Sequence, residues 1–245
     1  MGGKIDCYLD ISSLYSYVAF VQLQKIRVLL AAHSVELEYH PVFLGGINNA
    51  SGNKPPWVVP AKAVHGHFDS QRSLERVGIS GTRPPKDLMT AGMTVIPLRA
   101  LHYIKRTYPR EIFETTILYL FHVFWTPPNV NLTVPANVAK ALSEVPSGFG
   151  GGDSSATDSK RLFSQEEVDR IMHATTTKEV KDLLSAVTKE ALDRGAFGAP
   201  WFWVTNDGGA SEPFFGSDRF HFIYKFLGLP YQDVALLPPK DNAKL

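Results

Sequence analysis

The period of hydrophobic positions changes along the chain and divides it into three stretches. Lys4-Ile5-Asp6-Cys7-Tyr8-Leu9-Asp10 alternates and then turns apolar, as a strand entering a sheet does. From 15 to 30 the apolar residues Val18, Phe20, Val21, Leu23, Ile26, Leu29 and Leu30 recur at helical spacing, behind Ser12 or Ser13 as the cap. Strict alternation returns at Val35-Glu36-Leu37-Glu38-Tyr39-His40-Pro41-Val42. Two strands around one helix imply a right-handed crossover and parallel pairing. Residues 45–60 are dense in Gly, Asn, Ser and Pro and read as loop.

Between Val64 and Ala174 strand periodicity is almost lost. Helices are expected over 95–108 and 111–125, separated by Pro109 and stopped by Pro127-Pro128, and over 135–144 with a proline early in its first turn. Ser164-Gln165-Glu166-Glu167 and Thr176-Thr177-Lys178-Glu179 are capping-box patterns opening two more, the second running to about Asp193. The Gly/Ser-rich stretch 147–155 reads as a surface insertion. Strand signal resumes at Trp201-Phe202-Trp203-Val204, turns at Asn206-Asp207-Gly208-Gly209 and returns at Pro213-Phe214-Phe215. Ser217 is expected to open a last helix over 218–227. The order is βαβ, helical block, αββα.

Composition adds mainly exclusions. A net charge of +1 gives no bulk electrostatic case for nucleic acid or an anionic surface. Cys7 is the only cysteine, so neither an intrachain disulfide nor dithiol redox chemistry is available. Cys7 sits in a strand and reads as a small core residue. His65 and His67 are too few and too close for a metal site, and no metal is expected. The first residues carry no apolar stretch long enough for a signal peptide, and no apolar run reaches the length of a membrane span. Ala243-Lys244-Leu245 differs from Ser-Lys-Leu by one small-for-small exchange. It is expected to act as a peroxisomal address, with mitochondrion or cytosol as alternatives.

Three separated features carry candidate chemistry. Ser12-Ser13-Leu14-Tyr15-Ser16 puts hydroxyls at a helix start, Gly198-Ala199-Pro200 opens a strand, and Phe215-Gly216-Ser217-Asp218-Arg219 enters the last helix. Read singly, each is structural: an N-cap serine, a proline at a strand entry, a cap with an acidic first turn. Trp57, Phe68, Tyr103 and Trp125 could wall an apolar pocket, although aromatics in a helical block are commonly core.

Taken in order, these motifs resemble the kappa-class glutathione transferases, which share their fold with bacterial disulfide oxidoreductases and 2-hydroxychromene-2-carboxylate isomerases. The family motif of an aspartate followed by Ser-Pro-Tyr-Ser stands here as Asp10-Ile11-Ser12-Ser13-Leu14-Tyr15-Ser16. Ser-Gly-Asn-Lys-Pro-Pro is intact at 51–56, followed by Pro60 and Lys62, and the two closing motifs are those just given. The resemblance spans the chain apart from the Gly/Ser insertion.

It implies an α/β, thioredoxin-like fold with an inserted all-helical domain. The first domain would be discontinuous, over 1–45 and 176–230, with the insertion at 46–175 and a tail at 231–245. It also implies a homodimer. The ligand is glutathione, as substrate, and the activity is its transfer to a small electrophile, with peroxide reduction as a possible side reaction.

Ser13 would be catalytic, with Ser12 and Ser16 as alternatives. Ser13, Leu14, Tyr15, Asn53, Lys62, Ala199, Pro200, Ser217 and Asp218 would bind glutathione. Ala199, before a cis proline, would pair with the cysteinyl main chain. Ser217 and Asp218 would take the γ-glutamyl end, and Asn53 and Lys62, on a loop over the site, the glycyl end. A thiol of pKa ~8.5 is mostly protonated at neutral pH. A hydroxyl donor and the positive end of a helix both favour its thiolate. Leu14 departs from the family's proline, which fixes the first helical turn. Two other readings share the ligand: an isomerase using glutathione as cofactor, and a non-catalytic glutathione-binding protein.

Overall fold

The computed structural model describes residues 2–150 and 160–233. Strand β1 (Gly3–Leu9) and β2 (Val35–Pro41) run parallel, joined by the crossover helix α1 (Leu14–Ala32). Strand β3 (Trp201–Asn206) lies antiparallel to β1, and β4 (Ser211–Phe215) antiparallel to β3, giving the order β2-β1-β3-β4. The central strand is therefore held on one side by the N-terminal part of the chain and on the other by the C-terminal part. This sheet with its helices is a thioredoxin-like α/β fold.

Between β2 and β3 lie α2 (Leu44–Ser51), a 3-10 turn (Pro56–Val58), α3 (Pro60–Arg76), α4 (Leu88–Ala91), α5 (Val95–Thr107), α6 (Arg110–Trp125), α7 (Pro135–Glu144), α8 (Gln165–Ala174) and α9 (Lys178–Asp193). Helix α10 (Phe220–Phe226) follows β4. Period-two alternation sends Ile5, Cys7 and Leu9 of β1 to one face of the sheet, where they are fully buried with Phe202 and Val204. On that face one apolar cluster continues through Phe20 and Leu23 of α1, Phe121 and Phe124 of α6, Ile104 of α5 and Ile171 of α8. The Tyr17 and Phe121 rings stack at 5.0 Å and join α1 to α6. Sheet and helical block thus share a continuous core.

Lys4, Asp6 and Tyr8 point to the other face, where Tyr8 is buried in a second apolar cluster with Ile47, Ala191 and Trp201 and charged side chains gather beside it. His40 meets the Asp6 carboxylate at 2.7 Å, and Arg194 donates to the Tyr8 hydroxyl at 2.6 Å. The outer edge of β2 is closed by side chains from α5 and α6. Arg110 donates to the Leu37 carbonyl, Lys105 to Tyr39 and His102 to Pro41, at 2.7–2.8 Å. Burial lowers the His102 pKa to about 4, so this imidazole donates as a neutral ring. Side chains take the carbonyls that an added strand would otherwise pair with.

The structure corrects three expectations. The 45–60 loop begins as helix: α2 occupies Leu44–Ser51, its first N–H held by the Asp10 carboxylate and its two glycines packed against the Phe43 ring. The last helix starts at Phe220, not at Ser217, so Ser217 and Asp218 lie in the turn before it. The cap of α9 is Thr177, whose hydroxyl accepts from Val180 N–H, and not Thr176. The capping box at Ser164 forms in full with Glu167. Ser147 N–H to Lys160 O and the Pro146–Arg161 bridge close the base of the Gly/Ser stretch. Most of that stretch and Ala243-Lys244-Leu245 lie outside the described residues.

Candidate active site

The site is built on the turn that leaves β1. Asp10 is fully buried at its start. Its Oδ1 accepts from Ser12 N–H at 2.9 Å, Ser12 Oγ at 3.0 Å and Thr94 Oγ1 at 2.6 Å, and its Oδ2 accepts from Leu44 N–H at 2.7 Å. One carboxylate therefore ties together the turn, the start of α2 and the residue before α5. Burial pushes the Asp10 carboxyl upward in pKa, opposed by these hydrogen bonds. Beside it Trp125 Nε1 donates to Ile11 O at 2.9 Å. A Cβ at Gly92 would lie 2.8 Å from Leu88 O but only in ordinary contact, 3.6 Å, with the Ser12 Cβ.

Ser13 follows as the N-cap of the 19-residue helix α1. Its extended φ of −97° and ψ of 113° suit a cap, and its Oγ accepts from Ser16 N–H at 3.1 Å. The same hydroxyl donates to the Ala199 carbonyl at 2.8 Å, across 186 residues. Leu14 has no ring to fix the first turn. It is half-buried and packed against the core, which supplies that restraint by contact. No acidic side chain belongs to the first turn of α1 itself; the Asp69 carboxylate reaches it from α3, at the Tyr15 hydroxyl. The other two serines are turned elsewhere. Ser12 Oγ is committed to Asp10, and Ser16 is fully buried, its Oγ accepting from Asp10 N–H at 3.4 Å.

Opposite Ser13 the Ala199–Pro200 peptide is cis. Ala199 is buried, and Pro200 O accepts from Gly216 N–H at 3.2 Å, linking this segment to the turn that carries Ser217 and Asp218. Asn53 comes in from the third side: its Nδ2 donates to Phe197 O at 2.6 Å. Gly198 leaves room for this junction, since a Cβ there would lie 2.8 Å from the Phe215 ring and 3.9 Å from Asn53 Nδ2. The structure thus gathers Ser13, Ala199, Pro200 and Asn53 from three distant parts of the chain.

Helix α3 borders the site as well. Tyr15 Oη donates to Asp69 at 2.6 Å, and Arg76 donates to Ser217 O at 2.6 Å. Burial, the Asp69 hydrogen bond and nearby Asp218 all raise the Tyr15 pKa, so its phenol stays protonated at neutral pH. Lys62 lies on α3, in its first turn, and not on a loop as the sequence suggested. The seven-residue steps Lys62, Asp69 and Arg76 place all three on one helix face, with roughly 10 Å between neighbours. Lys62 is exposed and has no hydrogen bond or ion pair among the described residues. Ser217 is buried, whereas the Asp218 side chain is exposed and lies 3.5 Å from Arg219.

Asp10 was quoted from the motif without a role, and Thr94, Asp69 and Arg76 were not singled out from sequence. The signal that could have found the last two is their seven-residue spacing after Lys62, which on a helix shares one face. The aromatic candidates separate. Trp125 is a buried prop beneath the turn, Trp57 and Phe68 are exposed, and Tyr103 borders a different groove with Asp169 and His173. Cys7 is fully buried, and burial pushes its thiol far up in pKa. Among the described residues no three His, Cys, Asp or Glu side chains gather into a possible metal site.

Comparison with known proteins agrees with the fold. The chain is 26% identical over 233 residues to glutathione S-transferase kappa 1 of Caenorhabditis elegans, covering 93% of this chain and 92% of that protein. It is 25% identical over 244 residues to glutathione S-transferase kappa 1 of Homo sapiens, covering 98% and 97%. Among solved structures, a 2-hydroxychromene-2-carboxylate isomerase superposes with a TM-score of 0.67 at 17% identity, over 92% of this chain and 94% of that one. Residues 4–145 match the DSBA-like thioredoxin domain, and the chain belongs to that family.

Proposed function

We propose that this protein is a glutathione transferase of kappa type, in which the Ser13 hydroxyl and the N-terminus of α1 hold the glutathione sulfur as thiolate for attack on an electrophilic carbon or a peroxide oxygen. The observation that carries the reading is Ser13: a capping hydroxyl at the N-terminus of a long helix, set against the Ala199 carbonyl. A cysteinyl peptide laid along Ala199 would bring its sulfur to that hydroxyl as an added strand does. Ser217 and Asp218, from their turn, would receive the γ-glutamyl end, and Asn53 and Lys62 the glycyl carboxylate. Tyr15 and Leu14 would contribute through the first turn of α1. The full-length similarity to proteins named kappa transferases supports the same assignment.

The reading includes a homodimer. The 3-10 turn and the first half of α3 expose Trp57, Val58, Val59, Val64 and Phe68, an apolar surface of the sort that a second copy covers. The test of function is twofold. Millimolar glutathione should raise the melting temperature, because a ligand at ~100 times its dissociation constant adds about 2.7 kcal/mol of stability. Turnover should then appear with an activated aryl halide or an organic hydroperoxide. A melting temperature indifferent to glutathione would overturn the reading.

A further inference from the structure

We propose that the Ser13–Ala199 hydrogen bond is a resting latch, so that the site fully activates only a thiol whose own chain carries an amide N–H able to take over the Ala199 carbonyl. This rests on the glutathione reading of the site and goes beyond it, because it names which thiols the serine can serve.

The argument is a count of hydrogen-bonding capacity. A serine hydroxyl has one proton. In Ser13 the Oγ accepts from Ser16 N–H at 3.1 Å and directs its proton to Ala199 O at 2.8 Å. A proton given to that carbonyl is not available to a sulfur. Ser13 and Ala199 are both buried, at 7% and 8% exposure, so a carbonyl abandoned by the serine has little water to turn to. Stranding it would cost an amount comparable with what the new bond to a thiolate gains. A thiol that arrives alone therefore gains little from Ser13. It keeps only the free N–H groups and positive end of α1.

A cysteinyl ligand changes the balance. Its amide nitrogen and its sulfur are three bonds apart, so one residue can reach the Ala199 carbonyl and the helix start together. The carbonyl has two lone pairs, so the ligand N–H can bind before the serine turns away. No step leaves a buried group unpaired. Ser13 then donates to the sulfur while the thiol proton leaves to water. The Ala199 carbonyl is in this way a specificity-determining group: it couples recognition of an amide to activation of the thiol beside it.

The test is the pKa of the bound thiol, read from thiolate ultraviolet absorbance in the full-length protein and referred to each free ligand. Saturating glutathione is compared with glutathione methylated on its cysteinyl amide nitrogen, in the parent protein, Ser13→Thr and Ser13→Ala. In the parent and in Ser13→Thr, which keeps the hydroxyl, methylation should raise the bound pKa by about one unit, roughly tenfold less thiolate at neutral pH. In Ser13→Ala the two ligands should share one raised value. Equal values in the parent protein would overturn the latch. So would a methylation shift that persists undiminished in Ser13→Ala. Failure of glutathione itself to shift the melting temperature would instead remove the reading on which the latch rests.

Discussion

The turn at residues 10–13 and the segment at residues 53–68 border the same site and are built in opposite ways. The turn is buried and held from several sides: Asp10 alone accepts four hydrogen bonds, and Trp125 takes the Ile11 carbonyl. The segment is exposed along most of its length and is tied to the site chiefly through Asn53 and, just beyond it, Asp69. Residues that act on a reacting atom need fixed geometry, and a buried network supplies it. Residues that only hold the ends of a ligand, or meet a second copy, gain from staying accessible until the partner arrives. Damage to the turn should therefore appear as lost folding or lost turnover, and damage to the segment as weakened binding.

The largest expected effect is Asp10→Ala. It leaves Ser12 N–H, Thr94 Oγ1–H and Leu44 N–H without their buried acceptor, at about 1–3 kcal/mol each, so a loss on the order of 4 kcal/mol or more is expected from chemical denaturation. Thr94→Val, which removes a single donor, should cost about 1 kcal/mol. An Asp10→Ala protein as stable as the parent would show that the turn is not held as described.

Ser13→Ala comes next, and its effect is on rate. Turnover should fall roughly tenfold to a hundredfold, with glutathione affinity within a few fold, because one donor to a developing charge is lost. Stability should drop by roughly 2 kcal/mol or more, for the lost cap and for the buried Ala199 carbonyl left without its donor. A fully active Ser13→Ala beside an inactive, folded Ser16→Ala would move the assignment to Ser16.

Acid sharpens the comparison from beneath the turn. Asp6 is buried on the second face of the sheet; burial raises its pKa, but hydrogen bonds from His40 and Lys4 outweigh that and bring it from 3.8 to about 2. A depressed carboxylate contributes stability above its unfolded value and loses it as pH falls from near 4 towards 2, here roughly 2 kcal/mol at most. Asp10 is raised instead, so its protonation does not add to this loss. Asp6→Asn should flatten the decline in a pH series of urea melts, and an unchanged slope would assign the acid sensitivity elsewhere.

The smallest effects belong to the exposed segment. Lys62→Ala and Asn53→Ala should raise the glutathione KM a few fold while leaving kcat and ligand-free stability nearly unchanged, within about 0.5 kcal/mol for Lys62. A Lys62→Ala variant that lost turnover at saturating glutathione would break the division between the two regions.

Much of this architecture is written locally. The alternation of 4–10 and 35–42, the helical spacing after Ser13 and the turn at Asn206-Gly209 are each set by neighbours in sequence, and the structure follows them. Helix α2 was hidden because Gly45, Gly46, Asn48 and Asn49 read as loop, while what starts it is a carboxylate 34 residues away. The late start of α10 has a similar origin: Gly216 takes a φ of +94° and its N–H bonds Pro200 O, which holds Ser217 and Asp218 in a turn. Ser13, Ala199 and Asn53 could be named from motifs, but their convergence was implied only by the family resemblance. The Ser13–Ala199 and Asn53–Phe197 bonds span 186 and 144 residues, and no local pattern encodes them. Asp10 stood in the motif without a role, because Leu44 and Thr94, two of the three residues that bond it, are brought to it only in the folded chain.

The central claim is that Ser13 stabilises a glutathione thiolate, and the most direct measurement is the pH titration of thiolate absorbance for glutathione bound to the parent protein and to Ser13→Ala. The account expects the bound thiol to titrate below free glutathione in the parent and about one unit higher in Ser13→Ala, equivalent to 1.36 kcal/mol of lost thiolate stabilisation. Identical titration curves in the two proteins, both saturated with glutathione, would contradict it.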